Sequence, residues 1–409
     1  FLRLDNSFDS AYLARMLSGL TKAELDDALL NAVITHVASL GNPVLHAPAA
    51  RLIEAKAHRP LADEAFALLD RVAGTDPDPE TDEWSLDEQT NGSGHMPIET
   101  AALNSNRGAV ALVLGSLVSA DPKHLDRLRP TFSLLATDST EQVRAGLARS
   151  LAIVLYVDPT AALNWFDGLL EEAGPGLLSS HYVERFAWYA IELGYRDRME
   201  PLLTKQKNSG VAEALRSRAR LLTLASIADE SLDGDVSLCM RGEAPECSGV
   251  LEVAITNSVG SLRRDRLLGL VAAALSDERA DVRDEAAPIF YREFAELSAT
   301  EAEQLIKTIA QSGDAETAGP ALHALRGYRR PLPSSTLDLC EQFLRRVGAA
   351  ASDPTSSMSI AGTDVITLAV RLHAQSSAPE IRSRCLDLID TLVELRAHGI
   401  DSALAAVDR

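Results

Sequence analysis

The chain has few of the residues and motifs that usually mark catalytic or metal sites. Aromatic residues make up only 5% of the 409 positions, and the four cysteines include no Cys-x-x-Cys pair, which argues against a structural zinc site. The sequence contains no Gly-x4-Gly-Lys-Ser/Thr phosphate loop, no His-Glu-x-x-His zinc motif and no Gly-x-Ser-x-Gly nucleophile elbow. We therefore predict a protein that is not an enzyme and needs no cofactor.

Two further absences limit the compartment and the partners. No apolar run reaches the roughly 18 residues of a membrane span, and we expect no signal peptide. The sequence opens on Phe1 rather than Met, so we expect a cytoplasmic fragment of a longer protein without a membrane partner. Only 39 Lys and Arg residues oppose 59 Asp and Glu residues. The resulting net charge of −20 makes nucleic acid an unfavourable partner, because its phosphates are also negative.

The residues that are abundant predict an all-α fold. Apolar residues account for 46% of the chain, and Ala and Leu dominate among them. Both residues favour helices. Alternating runs of β-branched residues, which are typical of strands, are nearly absent. We therefore predict no sheet.

A short phrase recurs three times, and each copy precedes a helical run rich in Ala and Leu. An acid or Ser opens the phrase, an acidic residue follows, and a β-branched residue and an Arg close it. The opening side chain suits a helix N-cap, and the acid in the first turn meets the positive end of the helix dipole. The copies are Asp138-Ser-Thr-Glu141-Gln-Val143-Arg144, Asp277-Glu-Arg-Ala-Asp281-Val282-Arg283 and Ser376-Ser-Ala-Pro379-Glu380-Ile381-Arg382.

Each phrase opens an apolar stripe with a spacing of four and eight residues, so its members share one helix face. The Arg that follows the β-branched residue lies off that face and is predicted to contact an acid on the neighbouring repeat. The alternative is a solvated surface arginine. The residues expected to link repeats are Asp138, Arg144, Asp277, Arg283 and Arg382, and the stripes are Val143, Leu147, Leu151; Val282, Ala286, Phe290; and Ile381, Cys385, Ile389.

The Asp-x4-Val-Arg pattern before an Ala/Leu helix resembles the second helix of HEAT repeats. That resemblance covers the chain from about residue 100 onward and implies a right-handed α-solenoid of degenerate helix pairs. Solenoids of this kind bind surfaces and rarely catalyse. More loosely, the degenerate acidic repeats look like the C-terminal helical regions of large bacterial signalling NTPases, including antiviral-defence members. No sensing residue can be transferred from that family, because its repeats share no fixed ligand motif.

Breaks in the helical pattern divide the chain into five regions. An N-terminal helical region at 1–73, with four helices, precedes an acidic linker at 74–97. HEAT-like repeats are expected at 98–230 and 250–409, with an irregular loop at 231–249 between them. In the N-terminal region, Thr21 is the predicted cap of the second helix because Glu24 follows three residues later.

Three features are candidates for partner binding. Trp84 lies among acids in the linker, where an exposed Trp can anchor a partner. Arg326, Arg329 and Arg330 belong to a basic cluster that either contacts an acidic partner or forms a solvated face. An aromatic cluster includes three residues on one helical face, and it forms either a buried patch or a ligand groove. These three residues are Tyr182, Phe186 and Tyr189.

Together these observations predict a protein-interaction or recognition module that acts as the sensor or scaffold part of a larger protein or complex. Two alternatives stay open. One is the ligand-sensing C-terminal region of a bacterial signalling or antiviral NTPase. The other is a nucleic-acid-binding solenoid similar to the HEAT-like DNA glycosylases, which should show a basic face with aromatic residues.

Overall fold

A computed structural model describes residues 9–77, 97–312, 315–348 and 357–395. All regular secondary structure within these ranges is helical, which confirms the all-α prediction for the described part of the chain. Among the same residues, no helix is both long enough and apolar enough to cross a bilayer.

The chain divides into two compact units, Phe1–Leu221 and Leu222–Arg409, and the boundary falls inside α13 (Ala212–Ala228). A 3-10 turn at Pro43–Leu45 leads into α3. The remaining helices of the first unit are α1 (Ser10–Leu20), α2 (Asp27–Leu40), α3 (His46–Ala55), α4 (Asp63–Thr75), α5 (Ile98–Asn104), α6 (Asn106–Ala120), α7 (His124–Ala136), α8 (Glu141–Val154), α9 (Pro159–Leu170), α10 (Pro175–Leu178), α11 (His181–Glu192) and α12 (Arg196–Asn208).

The second unit contains two further 3-10 turns, at Glu230–Leu232 and Phe294–Glu296. Its helices are α14 (Asp233–Met240), α15 (Ala244–Thr256), α16 (Arg264–Leu275), α17 (Ala280–Ala286), α18 (Ile289–Arg292), α19 (Ala299–Ser312), α20 (Ala315–Gly327), α21 (Thr336–Val347), α22 (Ser357–Gln375) and α23 (Pro379–Glu394).

The four N-terminal helices form as predicted, but the second one begins later than expected. Asp26 is its N-cap, and its carboxylate accepts a hydrogen bond from the Leu29 N–H at 2.7 Å. Thr21 instead closes α1, where its hydroxyl donates to the Ser18 carbonyl at 2.7 Å. Small polar residues such as Thr21 suit the end of one helix as well as the start of the next. The local sequence therefore did not show which residue caps α2.

The segment 231–249, predicted to be an irregular loop, is mostly helical, because it contains α14 and the first turns of α15. Val236 and Cys239 of α14 are buried, and the acids Asp233 and Asp235, which suggested a loop, lie in its first turn, where negative charge favours a helix N-terminus. Glu243 and Glu246 form a reciprocal capping box that starts α15. The prediction of a loop was wrong because these charges cap helices.

Two helices, α6 and α8, form the buried centre of the first unit, and they approach each other closely. The Ser150 hydroxyl of α8 accepts a hydrogen bond from the Gly115 N–H of α6 at 2.9 Å and donates to the Ala111 carbonyl at 2.5 Å. A Cβ on Gly115 would lie 2.7 Å from the Ser150 Cα, so only glycine fits this crossing. Close packing of backbones therefore sets the central layer.

The predicted apolar stripes are buried in the first two copies of the phrase. Val143 and Val282 are both fully inaccessible to solvent. In the third copy Ile381 is only half-buried, and the buried face of α23 is shifted by one position. That face consists of Cys385, Leu388 and Leu392.

Candidate functional site

An open groove lies where the C-terminal ends of α6 and α8 meet the outer face of α11, entirely within the first unit. Its volume is about 590 Å³, within the range of small-ligand and peptide sites. Aliphatic side chains, two tyrosines and two arginines line it. The lining residues are Val118, Ser119, Pro122, Arg149, Ala152, Ile153, Tyr156, Val157, Arg185 and Tyr189.

Tyr156 and Tyr189 form the aromatic part of this groove. Their rings meet edge to face, with centroids 6.0 Å apart. Tyr156 lies in the turn that follows α8 and is 60% exposed, and the adjacent Val157 is 40% exposed. Large apolar side chains that remain open to solvent beside a concavity are typical of a binding surface.

The two arginines give the groove positive charge. Arg185 Nε donates to the Tyr189 hydroxyl at 3.0 Å, and its guanidinium lies 5.4 Å from the centroid of that ring. No Asp or Glu of the described residues forms an ion pair with Arg185. Arg149 lies 3.8 Å from the Glu54 carboxylate and stacks over Tyr182 at 5.9 Å. The groove therefore presents two cations to solvent, of which Arg185 is uncompensated.

The amphipathic pattern of α11 explains how the groove is built. Val183, Phe186 and Ala190 face inward, and Phe186 stacks on Phe166 with centroids 4.1 Å apart. Tyr189, three residues after Phe186, is only half-buried and turns to the groove. The aromatic face seen in the sequence is thus divided between the core and the groove. Sequence reasoning missed Tyr156, Arg149 and Arg185, since no local pattern joins residues of two helices and a turn.

In the first copy of the phrase, the predicted linking residues do join different helices. Asp138, with a side chain only 5% exposed, binds Arg107 of α6 at 2.8 Å. Arg144 is buried and donates to the carbonyls of Leu169 at 3.1 Å and Glu172 at 3.0 Å, at the end of α9. We expected an acid as its partner. The partner is instead a helix C-terminus, whose last carbonyls lack donors within the helix.

In the second copy, both Arg283 and Arg279 form hydrogen bonds with backbone carbonyls. Arg283 donates to the carbonyls of Asp277 at 2.8 Å and Glu278 at 3.0 Å, in the turn just before its own helix. Arg279 reaches the end of the neighbouring helix α14, and it donates to the carbonyls of Met240 at 2.9 Å and Gly242 at 2.8 Å. The same Arg279 binds the Asp277 carboxylate at 3.0 Å.

In the third copy, Arg382 is exposed, and its Nε donates to His373 Nε2 of α22 at 3.3 Å. This contact also joins two helices. It differs from the predicted pairing, because a histidine takes the place of the expected acid.

The basic cluster of the second unit is partly engaged in structural contacts. Arg326 Nη1 lies 3.0 Å from the carboxylate of Asp364, whose side chain is 1% exposed. Arg330 donates to the carbonyl of Leu297. Arg329 is exposed and forms no hydrogen bond or ion pair with the described residues. Trp84, the other predicted partner-binding residue, lies outside the described residues.

The described residues contain no group of three or more His, Cys, Asp or Glu side chains placed to hold a metal ion. All four cysteines are buried, and burial raises the pKa of the Cys247 and Cys385 thiols. Thiolates are therefore disfavoured at these two positions.

Comparison with protein-family models finds no matching family, and comparison with curated proteins finds no matching relative. The geometry of the groove is consequently the main guide to function.

Proposed function

We propose that this chain is a non-catalytic protein-recognition module that binds a partner through the groove between α6, α8 and α11. In this proposal the helices stack as a right-handed solenoid of degenerate HEAT-like pairs, which forms the sensor or scaffold part of a larger cytoplasmic protein or complex. The all-helical fold supports the proposal. So does the hydrogen bond from Arg144 of α8 to the Leu169 carbonyl of α9, because it joins successive helices.

One observation carries the proposal most directly, and it is the combination of Tyr156 and Arg185 in one open groove. Tyr and Arg are among the residues most enriched at the energetic centres of protein interfaces. Here the tyrosine ring is 60% exposed, and the Arg185 guanidinium is oriented by a hydrogen bond to Tyr189. A side chain that is already positioned loses less entropy when it binds.

The narrower reading, a sensor region of a bacterial signalling or antiviral NTPase, is a proposal that rests on the sequence resemblance alone. Nucleic-acid binding is less well supported. The groove has only two arginines in a chain of net charge −20, and affinity for nucleic acid depends on many phosphate contacts.

Selection of random linear peptides on the immobilised protein tests the proposal. Selected peptides should bind the wild type and lose about 30-fold in affinity with Tyr156→Ala, the effect of about 2 kcal/mol typical of an interface centre. Tyr291→Ala is the matched control, because Tyr291 is 65% exposed in the second unit, outside the groove. Equal loss in both variants, or peptides insensitive to both, would contradict the proposal.

A further inference from the structure

We infer that the groove binds an acidic linear peptide segment that carries a central apolar or aromatic anchor residue. The inference rests on the proposed function, because it names the chemistry of the partner that the groove would recognise. Three features of the groove lead to it: a cation without a counter-ion, a second cation held only weakly, and an apolar floor between them.

No described carboxylate pairs with Arg185, although it faces an open groove. The sequence has 59 acidic residues against 39 basic ones, so intramolecular partners are plentiful. Arg220 binds both Glu213 and Glu184, the residue just before Arg185, at 2.8 and 2.7 Å. Arg185 instead contacts the ring and hydroxyl of Tyr189. Its charge remains available to a carboxylate supplied from outside.

Arg149 supplies the second positive charge, and its present partner holds it loosely. The distance to Glu54 is 3.8 Å, and the Arg149 side chain is 39% exposed. Glu54 also accepts a hydrogen bond from the Ser116 hydroxyl at 3.1 Å, so the carboxylate keeps a partner when Arg149 turns away. Exposed ion pairs are weak, and an incoming carboxylate can therefore recruit Arg149 easily.

The floor of the groove favours a peptide over a nucleic acid. Val118, Ile153 and Val157 are aliphatic, and they suit one bulky apolar side chain. Single-stranded nucleic acid is bound by a positively charged groove that follows the backbone and by aromatic faces on which successive bases stack. Tyr156 and Tyr189 meet edge to face at 65°, and only two arginines line the groove. A short acidic segment also meets less repulsion from a chain of net charge −20 than a long polyanion does.

Fluorescence anisotropy with three labelled synthetic peptides tests the inference. All three share a central Phe-Leu pair, which is flanked by Asp and Glu in the first, by Asn and Gln in the second, and by Lys in the third. We expect the acidic peptide to bind at least about tenfold more tightly than the amide peptide, and to weaken as salt is raised. A labelled single-stranded oligothymidine serves as the nucleic-acid probe.

Arg185→Gln should weaken the acidic peptide about tenfold and leave the amide peptide unchanged. Arg292→Gln is the matched control, since Arg292 is an exposed arginine of the second unit, outside the groove, and has no ion pair within the described chain. Arg185→Lys keeps the charge and should retain most of the affinity. Thermal melts of the variants should match the wild type, because Arg185 is exposed.

The outcomes separate the two proposals. If the amide or Lys peptide binds as tightly as the acidic one, and Tyr156→Ala still abolishes binding, the acidic specificity is wrong while the recognition groove stands. Tighter binding of oligothymidine than of the acidic peptide also overturns the inference. If no peptide binds in a way that depends on Tyr156, the proposed function fails as well.

Discussion

The first two copies of the recurring phrase share a sequence pattern, yet they occupy contrasting environments. In the first copy nearly every side chain of α8 is buried, including Arg144. In the second copy only Val282 and Ala286 of α17 are buried, and the acids between them are exposed. Both copies start a helix and bury its β-branched residue. The neighbouring helices, and not the phrase, decide whether the charged residues are enclosed or solvated.

The difference extends to the charges of the phrase. Burial raises the pKa of the Glu141 carboxyl, and its Oε1 atom is buried without a hydrogen-bond partner. In the second copy Arg279 donates hydrogen bonds to Asp277 and lowers the pKa of that carboxyl. The charged form of the carboxyl is therefore disfavoured at the first position and favoured at the second.

A charge introduced into each apolar stripe is expected to give the largest difference in stability between the two copies. Val143→Asp should destabilise the protein by roughly 4 kcal/mol or more, because a buried carboxylate there has no partner and no route to water. Val282→Asp should cost less, since α17 has exposed faces that let the carboxylate turn toward solvent. Urea unfolding of both variants, followed by circular dichroism, measures the difference.

Val143→Ala and Val282→Ala serve as controls for simple loss of packing, since both remove the same buried apolar atoms without adding charge. Equal losses of stability for Val143→Asp and Val282→Asp would contradict the difference in burial between α8 and α17. If Val282→Asp unfolded at the same urea concentration as the wild type, Val282 would not belong to a buried apolar stripe.

Much of the fold followed from local patterns, and the failures have a physical origin. The helical class, the four N-terminal helices and the buried positions of Val143 and Val282 depend on propensity and periodicity within one helix. The partner of Arg144 depends on where α9 ends, more than twenty residues away. Gly115 gave no signal of the close contact with Ser150, because the crossing is set by tertiary packing.

The candidate groove was less predictable than the fold. The face of Tyr182 and Tyr189 was visible as helical spacing, and a groove was one of its two interpretations. Tyr156 and Arg149 belong to α8 or to the turn after it, and only the packing of α11 against α8 brings them to the same opening. Side chains that meet across separate helices leave no periodic trace in a single sequence.

Removing the arginines gives a second, smaller test of the two copies. Arg144→Ala should cost about 2–3 kcal/mol, because it leaves carbonyls at the buried end of α9 without donors and creates a cavity. Arg283→Ala should cost less than Arg144→Ala, since Arg283 is only half-buried and its loss leaves a smaller cavity. The midpoints of chemical unfolding give both values, and a larger loss for Arg283→Ala would reverse the proposed order.

The smallest expected effect, and the most diagnostic, is the opposite pH dependence of Asp277 and Glu141. The pKa of Asp277 is lowered in the folded state, so its stabilising contribution is fully present above the unfolded pKa of about 3.9 and is lost as the pH falls through the lower folded value. Asp277→Asn should therefore cost about 1 kcal/mol at neutral pH, and the cost should shrink on acidification.

For Glu141 the sign is reversed. Its folded pKa lies above the unfolded value of about 4.3, so the buried charge costs stability at neutral pH, and that cost disappears as the pH falls through the folded pKa. Glu141→Gln should thus equal or exceed the wild type in stability near pH 7 and lose that advantage in acid. Urea unfolding from about pH 7 to about pH 3 measures both differences. Parallel trends for the two variants would mean that the two phrases meet the same electrostatic environment after all.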